Sequence, residues 1–488
     1  MTVKSSNINY WPVATTTDPI TLPMSYLWLT CPRGLEYSLE QECIEKFGVD
    51  SKHVSHELFG KVIVRPFPPK LRSNPELLWG LRGADYVLCG IVRETSDDFV
   101  HTSETVALDS IRDTMSKVPA DLWRQAYKIW QKVPSSGFYI DESNRKLLEQ
   151  DLNCKRQISE PTYYVTKKRG GLHAFSSSVL GRTVWEGMNS SFAANNFKWT
   201  GELGATANLE VFCHLHEKTL YVGMRLHEES LWKKSSVLAN NRVWVSTPLR
   251  PHICYGLLSD TRLSCGDILC DPMVGCGTVA EVAAETNVSR IFCIVGDIEK
   301  GNVEKAHQNR SLKASSVAMI DIVLWDASNL PLRDGVVDKF CSDLPFGKRC
   351  GSKTNNYNLY PQIFVETARV LSEGGKAVLL SADRRTLARS VDLAAGEKPF
   401  FKKQRNFTVN VGGLDALTLV LKKRYYNEAR GVEIKEKQRR NIEIAKAKRE
   451  RKKRKLEEMS TKSVQAPHPR KEEATCLENP ANTNLTGT

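Results

Sequence analysis

Four short apolar segments in the second half of the chain each run into an aspartate, and no other feature constrains the fold as tightly. They are "DILCDP", "RIFCIVGD", "SVAMIDIVLWD" and "VVDKFCSD", which place Asp271, Asp297, Asp326 and Asp343 at four successive strand ends. Strands that are apolar on both faces belong in a parallel sheet covered on both sides. "KAVLLSA" supplies a fifth strand, and "FKKQRNFTVNV" and "DALTLVLKK" close the domain near Lys423. A lone strand-terminal Asp is usually a helix N-cap or an Asx turn. Four in a row along one sheet edge argue instead for a small-molecule site, because open parallel sheets bind ligands outside the carboxyl ends of their strands.

The first of these strands continues into "CDPMVGCGTVAEVAAE", where Gly275 and Gly277 let backbone approach a ligand closely. The loop lacks the G-x-x-x-x-G-K-[ST] pattern, which disfavours a triphosphate. Asp297 lies twenty-two residues past Gly275, where a carboxylate can accept hydrogen bonds from ribose hydroxyls. The series suits a cofactor that carries adenosine and is cationic or neutral near the loop. S-adenosylmethionine fits, with Asp297 on the ribose, Asp326 near the adenine amine and the glycine loop against the amino-acid end. The corner "DLPF" (Asp343, Leu344, Pro345, Phe346) is then built for orientation. Asp343 and the Leu344 carbonyl can accept N–H groups of an exocyclic amine, Pro345 stiffens the turn, and Phe346 can stack on a base.

Ahead of this domain the grammar differs. Residues 1–25 are polar and read as disordered. "YLWLTCPRGLEYSLEQECIEKFG" reads as strand, turn and amphipathic helix, and "ELFGKVIVRPF" as a strand pair. Residues 26–110 thus form one α+β unit and residues 111–232 a second, ending in the hairpin "NLEVFCHLHEKTLYVGMRL". Residues 233–247 read as a linker and 248–423 as the α/β domain. Residues 424–488 form a basic tail, helical or disordered. The net charge is +13, but Lys422–Lys455 alone carries +11 and the first 421 residues only +4, so overall basicity says little about what the folded body binds. The thirteen cysteines include no Cys-x-x-Cys pair, which points to reduced thiols and argues against a zinc ribbon.

The stretches Asp271-Pro272-Met273, Gly275-x-Gly277, Gly296-Asp297, Asp326 and "DLPFGKRCGSK" resemble the THUMP-domain tRNA guanosine 2-amino methyltransferases. "YYVTKKRGGLHAF", "STPLRPHICYGLL" and "NVGGLDALTLV" agree, and the eukaryotic cytosolic branch of that family is the most similar. Leu344 stands where the broader family has a first proline. The resemblance implies an α/β Rossmann-like methyltransferase domain preceded by α+β ferredoxin-like and THUMP units that grip tRNA. It implies methylation of a guanosine 2-amino group in the acceptor stem, at position six or seven. Cofactor contacts are expected from Asp271, Pro272, Met273, Gly275, Gly277, Asp297, Ile298, Asp326, Ala327 and Asp343, and no metal is expected. RNA contacts are expected from the basic turn Lys167, Lys168 and Arg169 and from Lys348 and Arg349. The family also implies a small zinc-binding activator subunit and a cytoplasmic location, with a nuclear fraction possible through "RERKKRK"; apolar runs too short to span a bilayer argue against a membrane. The alternatives are the same chemistry on a spliceosomal small nuclear RNA, or a tRNA-binding protein with an inactive methyltransferase domain.

Overall fold

The computed structural model describes residues 26–58, 60–133, 161–195, 197–202, 207–234, 242–286, 290–311, 319–347, 352–395 and 399–464. The expectation for residues 1–25 lies outside them. Two compact units are present, Met1–Gly431 and Val432–Thr488. The described part of the second is helical, within the helix Glu428–Val464.

The first unit holds two sheets. β1 (Tyr26–Thr30), β2 (Val54–Leu58), β3 (Lys61–Val64), β4 (Tyr86–Thr95), β5 (Thr162–Gly170), β6 (Thr200–Gly201), β7 (Leu209–His216) and β8 (Thr219–Arg225) form one eight-stranded sheet, ordered β2-β3-β1-β4-β8-β7-β5-β6. Period-2 alternation sorts its side chains. Leu27 and Leu29 join a core with Leu39 and Cys43 of the helix Glu36–Phe47 and with Trp123 and Phe192 of later helices. Tyr26 and Trp28 face the other way, with Leu88 and Tyr221. The boundary drawn at residue 110 does not coincide with a structural break. It falls inside the helix Glu104–Ser116, whose Ala107, Ile111 and Met115 are buried, and β4 pairs directly with β8 across it.

β9 (Ile268–Asp271), β10 (Phe292–Asp297), β11 (Met319–Leu324), β12 (Val337–Asp343), β13 (Leu371–Ser381), β14 (Phe401–Val411) and β15 (Leu414–Lys423) form the second sheet, ordered β11-β10-β9-β12-β13-β15-β14. The first five strands in that order are parallel, and β15 and β14 are antiparallel. The chain builds outward from β9 to β11, then returns to lay β12 on the other side of β9. That reversal opens a crevice at the carboxyl ends of β9 and β12.

The two sheets meet at the Pro32-Arg33-Gly34 turn. Gly34 has φ +97°, and a Cβ there would lie 2.0 Å from the Thr408 carbonyl oxygen of β14. Asn410 donates its N–H to the Arg33 carbonyl at 3.0 Å. Leu35 buries itself among Ile253, Leu257 and Val409, in the second core.

Candidate active site

At the crevice the strand ends converge on a cleft of about 1310 Å³. Pro272, Met273, Gly275, Asp297, Ile298, Asp326 and Ala327 line it, as do Asp343, Leu344, Pro345 and Phe346. The sequence therefore brings the glycine loop and the "DLPF" corner to one place. The loop is fixed by β10 and the turn that follows β11: Val274 donates to the Gly296 carbonyl at 2.8 Å, Gly275 to Oδ2 of Asp297 at 3.1 Å, and Trp325 Nε1 to the Pro272 carbonyl at 3.1 Å. Gly296 has to be glycine, since a Cβ would sit 2.1 Å from the Val323 carbonyl oxygen and 2.7 Å from the Trp325 ring.

Four predicted placements need correction. Asp271 and Gly277 do not line the cleft. Asp271 is buried beneath the loop, where Oδ1 accepts from Ser342 Oγ at 2.7 Å and from Met273 N at 3.2 Å. Gly277, at φ +92°, makes the turn into the helix Thr278–Ala284. Asp326 does not end a strand. β11 stops at Leu324, and Oδ1 of Asp326 accepts from both N and Oγ of Ser328 in an Asx turn, at 2.8 and 2.7 Å.

Lys167, Lys168 and Arg169, expected in a turn, form none. They lie in β5, paired with Cys213, His214 and Leu215 of β7. Strand alternation puts Lys168 on the opposite face from the other two, so the three do not make one patch. Lys348 and Arg349 lie outside the described residues.

The expected linker differs too. Arg242 is buried against the glycine loop, its guanidinium donating to Glu281 Oε2 at 2.5 Å and to the Cys276 carbonyl at 3.0 Å. Asn309 holds Val243 through both N–H and carbonyl, at 2.8 and 2.9 Å, and donates to the Cys276 carbonyl at 2.9 Å. Residues 244–249 then form a wall of the cleft. Ser- and Asn-rich composition reads as linker because nothing in it announces one arginine's buried ion pair. Asn309, within a polar helix of no periodic signal, was equally illegible.

The electrostatics favour a cationic ligand. Burial pushes the Asp271 carboxyl up to about 7, with Asp297 adding repulsion. Asp343 is pushed well above the usual carboxylate range, by burial first and then by Asp271 and Asp297. Oδ2 of Asp271 is buried with no hydrogen-bond partner among the described residues. Asp297 and Asp343 line the cleft, and the repulsion between them suits a group that brings positive charge. Asp297, 8% exposed, also accepts from Glu299 N at 3.0 Å, so it is fixed in place as an acceptor. A carboxylate offers about four lone-pair sites, which leaves capacity for ligand hydroxyls.

Among the described residues no helix is long and apolar enough to cross a membrane. Ten cysteines fall in described residues, none of them in a disulfide, and of these ten only Cys265 is exposed.

Residues 240–416 match the family model for the RMKL-like methyltransferase domain. The chain is 34% identical over 289 residues to the tRNA (guanine(6)-N(2))-methyltransferase THUMP3 of Bos taurus, covering 56% of this chain and 54% of that protein. It is 24% identical over 335 residues to the U6 snRNA (guanine-N(2))-methyltransferase THUMPD2 of the same organism, covering 67% of this chain and 61% of that protein. The chain thus spans about half the length of the first of these and some three-fifths of the second. The crystal structure of TrmN from Thermus thermophilus superposes with a TM-score of 0.57 at 20% identity, covering 82% of this chain and 99% of that one. The parallel sheet, its switch-point cleft and these similarities converge on one region: residues 240–416 match the RMKL-like methyltransferase-domain model, and the chain is similar to proteins named as RNA guanine-N2 methyltransferases.

Proposed function

We propose that the chain is an S-adenosylmethionine-dependent tRNA methyltransferase acting on the exocyclic 2-amino group of a guanosine in the acceptor stem, at position six or seven. The observation that carries this reading is that the Asp343-Leu344-Pro345-Phe346 corner and the Asp297-anchored glycine loop line one cleft. When bound, S-adenosylmethionine supplies a methyl group on a positively charged sulfonium. Asp297 would hold the ribose hydroxyls, and Asp326, with Oδ1 taken by Ser328, would offer its other oxygen to the adenine amine. Asp343 accepts an N–H of the guanine amine and so holds the nitrogen lone pair toward the cofactor side. Phe346 offers a ring for the base. A cation in the cleft would draw the Asp343 carboxyl down toward its ionised, hydrogen-bond-accepting form. A stem guanosine must leave its stack to reach this corner, which costs a few kcal/mol.

In this reading the eight-stranded sheet contains the ferredoxin-like and THUMP units that grip the tRNA. The activator subunit would dock on β11, the outermost strand of the second sheet among the described residues. Its Met319 and Leu324 are 66% and 54% exposed, an unusual surface for a strand edge left uncovered. The +7 charge of residues 446–455, on a helix, would add sequence-independent RNA affinity without choosing the nucleotide.

The test is nucleoside mass spectrometry of tRNA incubated with purified protein and cofactor, alone and with the activator. N2-methylguanosine confined to the acceptor stem is the expected result. The same product in U6 small nuclear RNA and not in tRNA would favour the second reading, which the similarity to a U6 methyltransferase keeps open. No product on either RNA would overturn both.

A further inference from the structure

The "DLPF" corner is held from behind by residues that the function proposed above does not assign. The helix Lys353–Val370 starts at Ser352, whose Oγ accepts from Asn355 N at 3.1 Å. Asn356 and Tyr360 follow four residues apart, and so stand one above the other on a single face. Both side chains end on one atom. Asn356 Nδ2 donates to the Pro345 carbonyl oxygen at 2.8 Å, and the Tyr360 hydroxyl donates to the same oxygen at 2.5 Å. Both residues are fully buried.

These contacts answer a weakness of the corner. Leu344 is anchored through its N–H to the Leu380 carbonyl of β13, at 2.8 Å. Pro345 has no N–H and cannot continue that ladder. Its carbonyl is the next group by which the chain can be fixed, and two donors take it. The same donors tie the corner to the end of β13: Tyr360 OH lies 2.6 Å from Ser381 Oγ, and Asn356 Nδ2 lies 3.3 Å from Asp383 Oδ2. Gly347 completes the fit, since at φ +71° a Cβ there would come within 2.9 Å of Asn356 Nδ2.

We propose that Asn356 and Tyr360 are positioning residues that fix the direction in which Asp343 and Phe346 are presented. They act through the Pro345 carbonyl; Tyr360 is not among the residues that line the cleft, whereas Asn356 is, so Tyr360→Phe is the variant that tests aim alone. The inference rests on the proposed methyl transfer for its kinetic consequence, but the clamp itself is a property of the fold. A misplacement of about 1 Å can cost on the order of 10²-fold in rate, so a residue acting only by aim lowers kcat without weakening cofactor binding.

The experiment uses the full chain carrying Tyr360→Phe, which keeps the buried ring, and separately Asn356→Ala. Three quantities are read: kcat on tRNA, S-adenosylhomocysteine affinity by calorimetry, and amide hydrogen exchange over residues 343–347. The expected result is a fall in kcat of roughly ten-fold or more, cofactor-product affinity within about two-fold of wild type, and faster exchange at Phe346 and Gly347. Exchange needs no turnover. Faster exchange in a protein whose wild type methylates no RNA would keep the clamp and sink the proposed activity. Unchanged exchange in both variants, or affinity falling in step with kcat, would overturn the clamp.

Discussion

The two sheets bury charge of opposite sign, and they deal with it differently. In the first, the Lys61 ammonium lies 5.3 Å from the Trp28 ring centroid, 5.9 Å from that of Phe212, and 2.7 Å from His214 Nδ1. Burial, with Lys168 nearby, draws Lys61 down to about 7, and burial with Lys61 draws His214 down to about 2. A neutral His214 can therefore accept the Lys61 N–H. In the second sheet, Asp271 is pushed up to about 7 and Asp343 upward as well. Both sites relieve burial by shifting protons rather than by pairing with an opposite charge. The contrast lies in access. Lys61 is 4% exposed, whereas Asp343 and Asp297 open onto the cleft. The lysine site is closed, with Lys61 and His214 both buried, although His214 Nε2 has no hydrogen-bond partner among the described residues. The carboxylate site is open to a ligand that carries the missing charge.

Asp343→Ala should break the comparison most severely. Turnover should fall roughly 10²–10³-fold, the scale of losing one transition-state hydrogen-bonding group, while cofactor affinity stays within a few-fold. Steady-state kinetics with parallel calorimetry checks it, and full activity would remove Asp343 from the catalytic role.

Asp297→Ala should weaken S-adenosylmethionine by about 1.5–3 kcal/mol, the scale of hydrogen bonds to a charged acceptor. Because Asp297 also holds Gly275 N, Asp297→Asn is the useful partner, retaining one acceptor oxygen for the loop. Unchanged calorimetric affinity in both variants would reduce Asp297 to a structural brace.

The two buried sites should give pH slopes of opposite sign. For Asp271, the folded state binds the proton more tightly than the unfolded chain between about 4 and about 7, so its contribution to stability falls as pH rises through that window. For Lys61, the unfolded chain binds the extra proton between about 7 and 10.5, so stability rises with pH there. Each slope is at most about 1.4 kcal/mol per pH unit for one full proton. Urea midpoints across pH should flatten below 7 in Asp271→Asn and above 7 in Lys61→Met. A Lys61→Met midpoint that keeps the wild-type slope above 7 would place the titration elsewhere.

The smallest effect concerns activity against pH. An ionised Asp343 is the acceptor the amine needs, and its pKa is raised, so kcat/KM should fall as pH drops through a value above the ordinary carboxylate range. A limb at the ordinary carboxylate value would mean that the cation in the cleft fully offsets the burial.

Much of the second sheet was readable from the sequence because apolar runs ending in Asp admit few arrangements. β9, β10 and β12 end on Asp271, Asp297 and Asp343 as expected, and β14 begins at Phe401. Local chemistry sufficed there, since strand period, glycine freedom and proline stiffness act over a few residues. What failed involved partners distant in sequence or the state of a neighbouring strand. "TKKRGG" looked like a turn because Lys, Arg and Gly favour turns, yet pairing with β7 extended the strand through its basic residues as far as Gly170. Arg242 meets Glu281 across 39 residues, and Tyr360 meets Pro345 across 15. The sequence by itself determined that a parallel sheet would gather carboxylates at one edge. Only the tertiary structure decided which of them face the cleft, because burial, desolvation and hydrogen-bond partners belong to the packed chain and not to any segment of it.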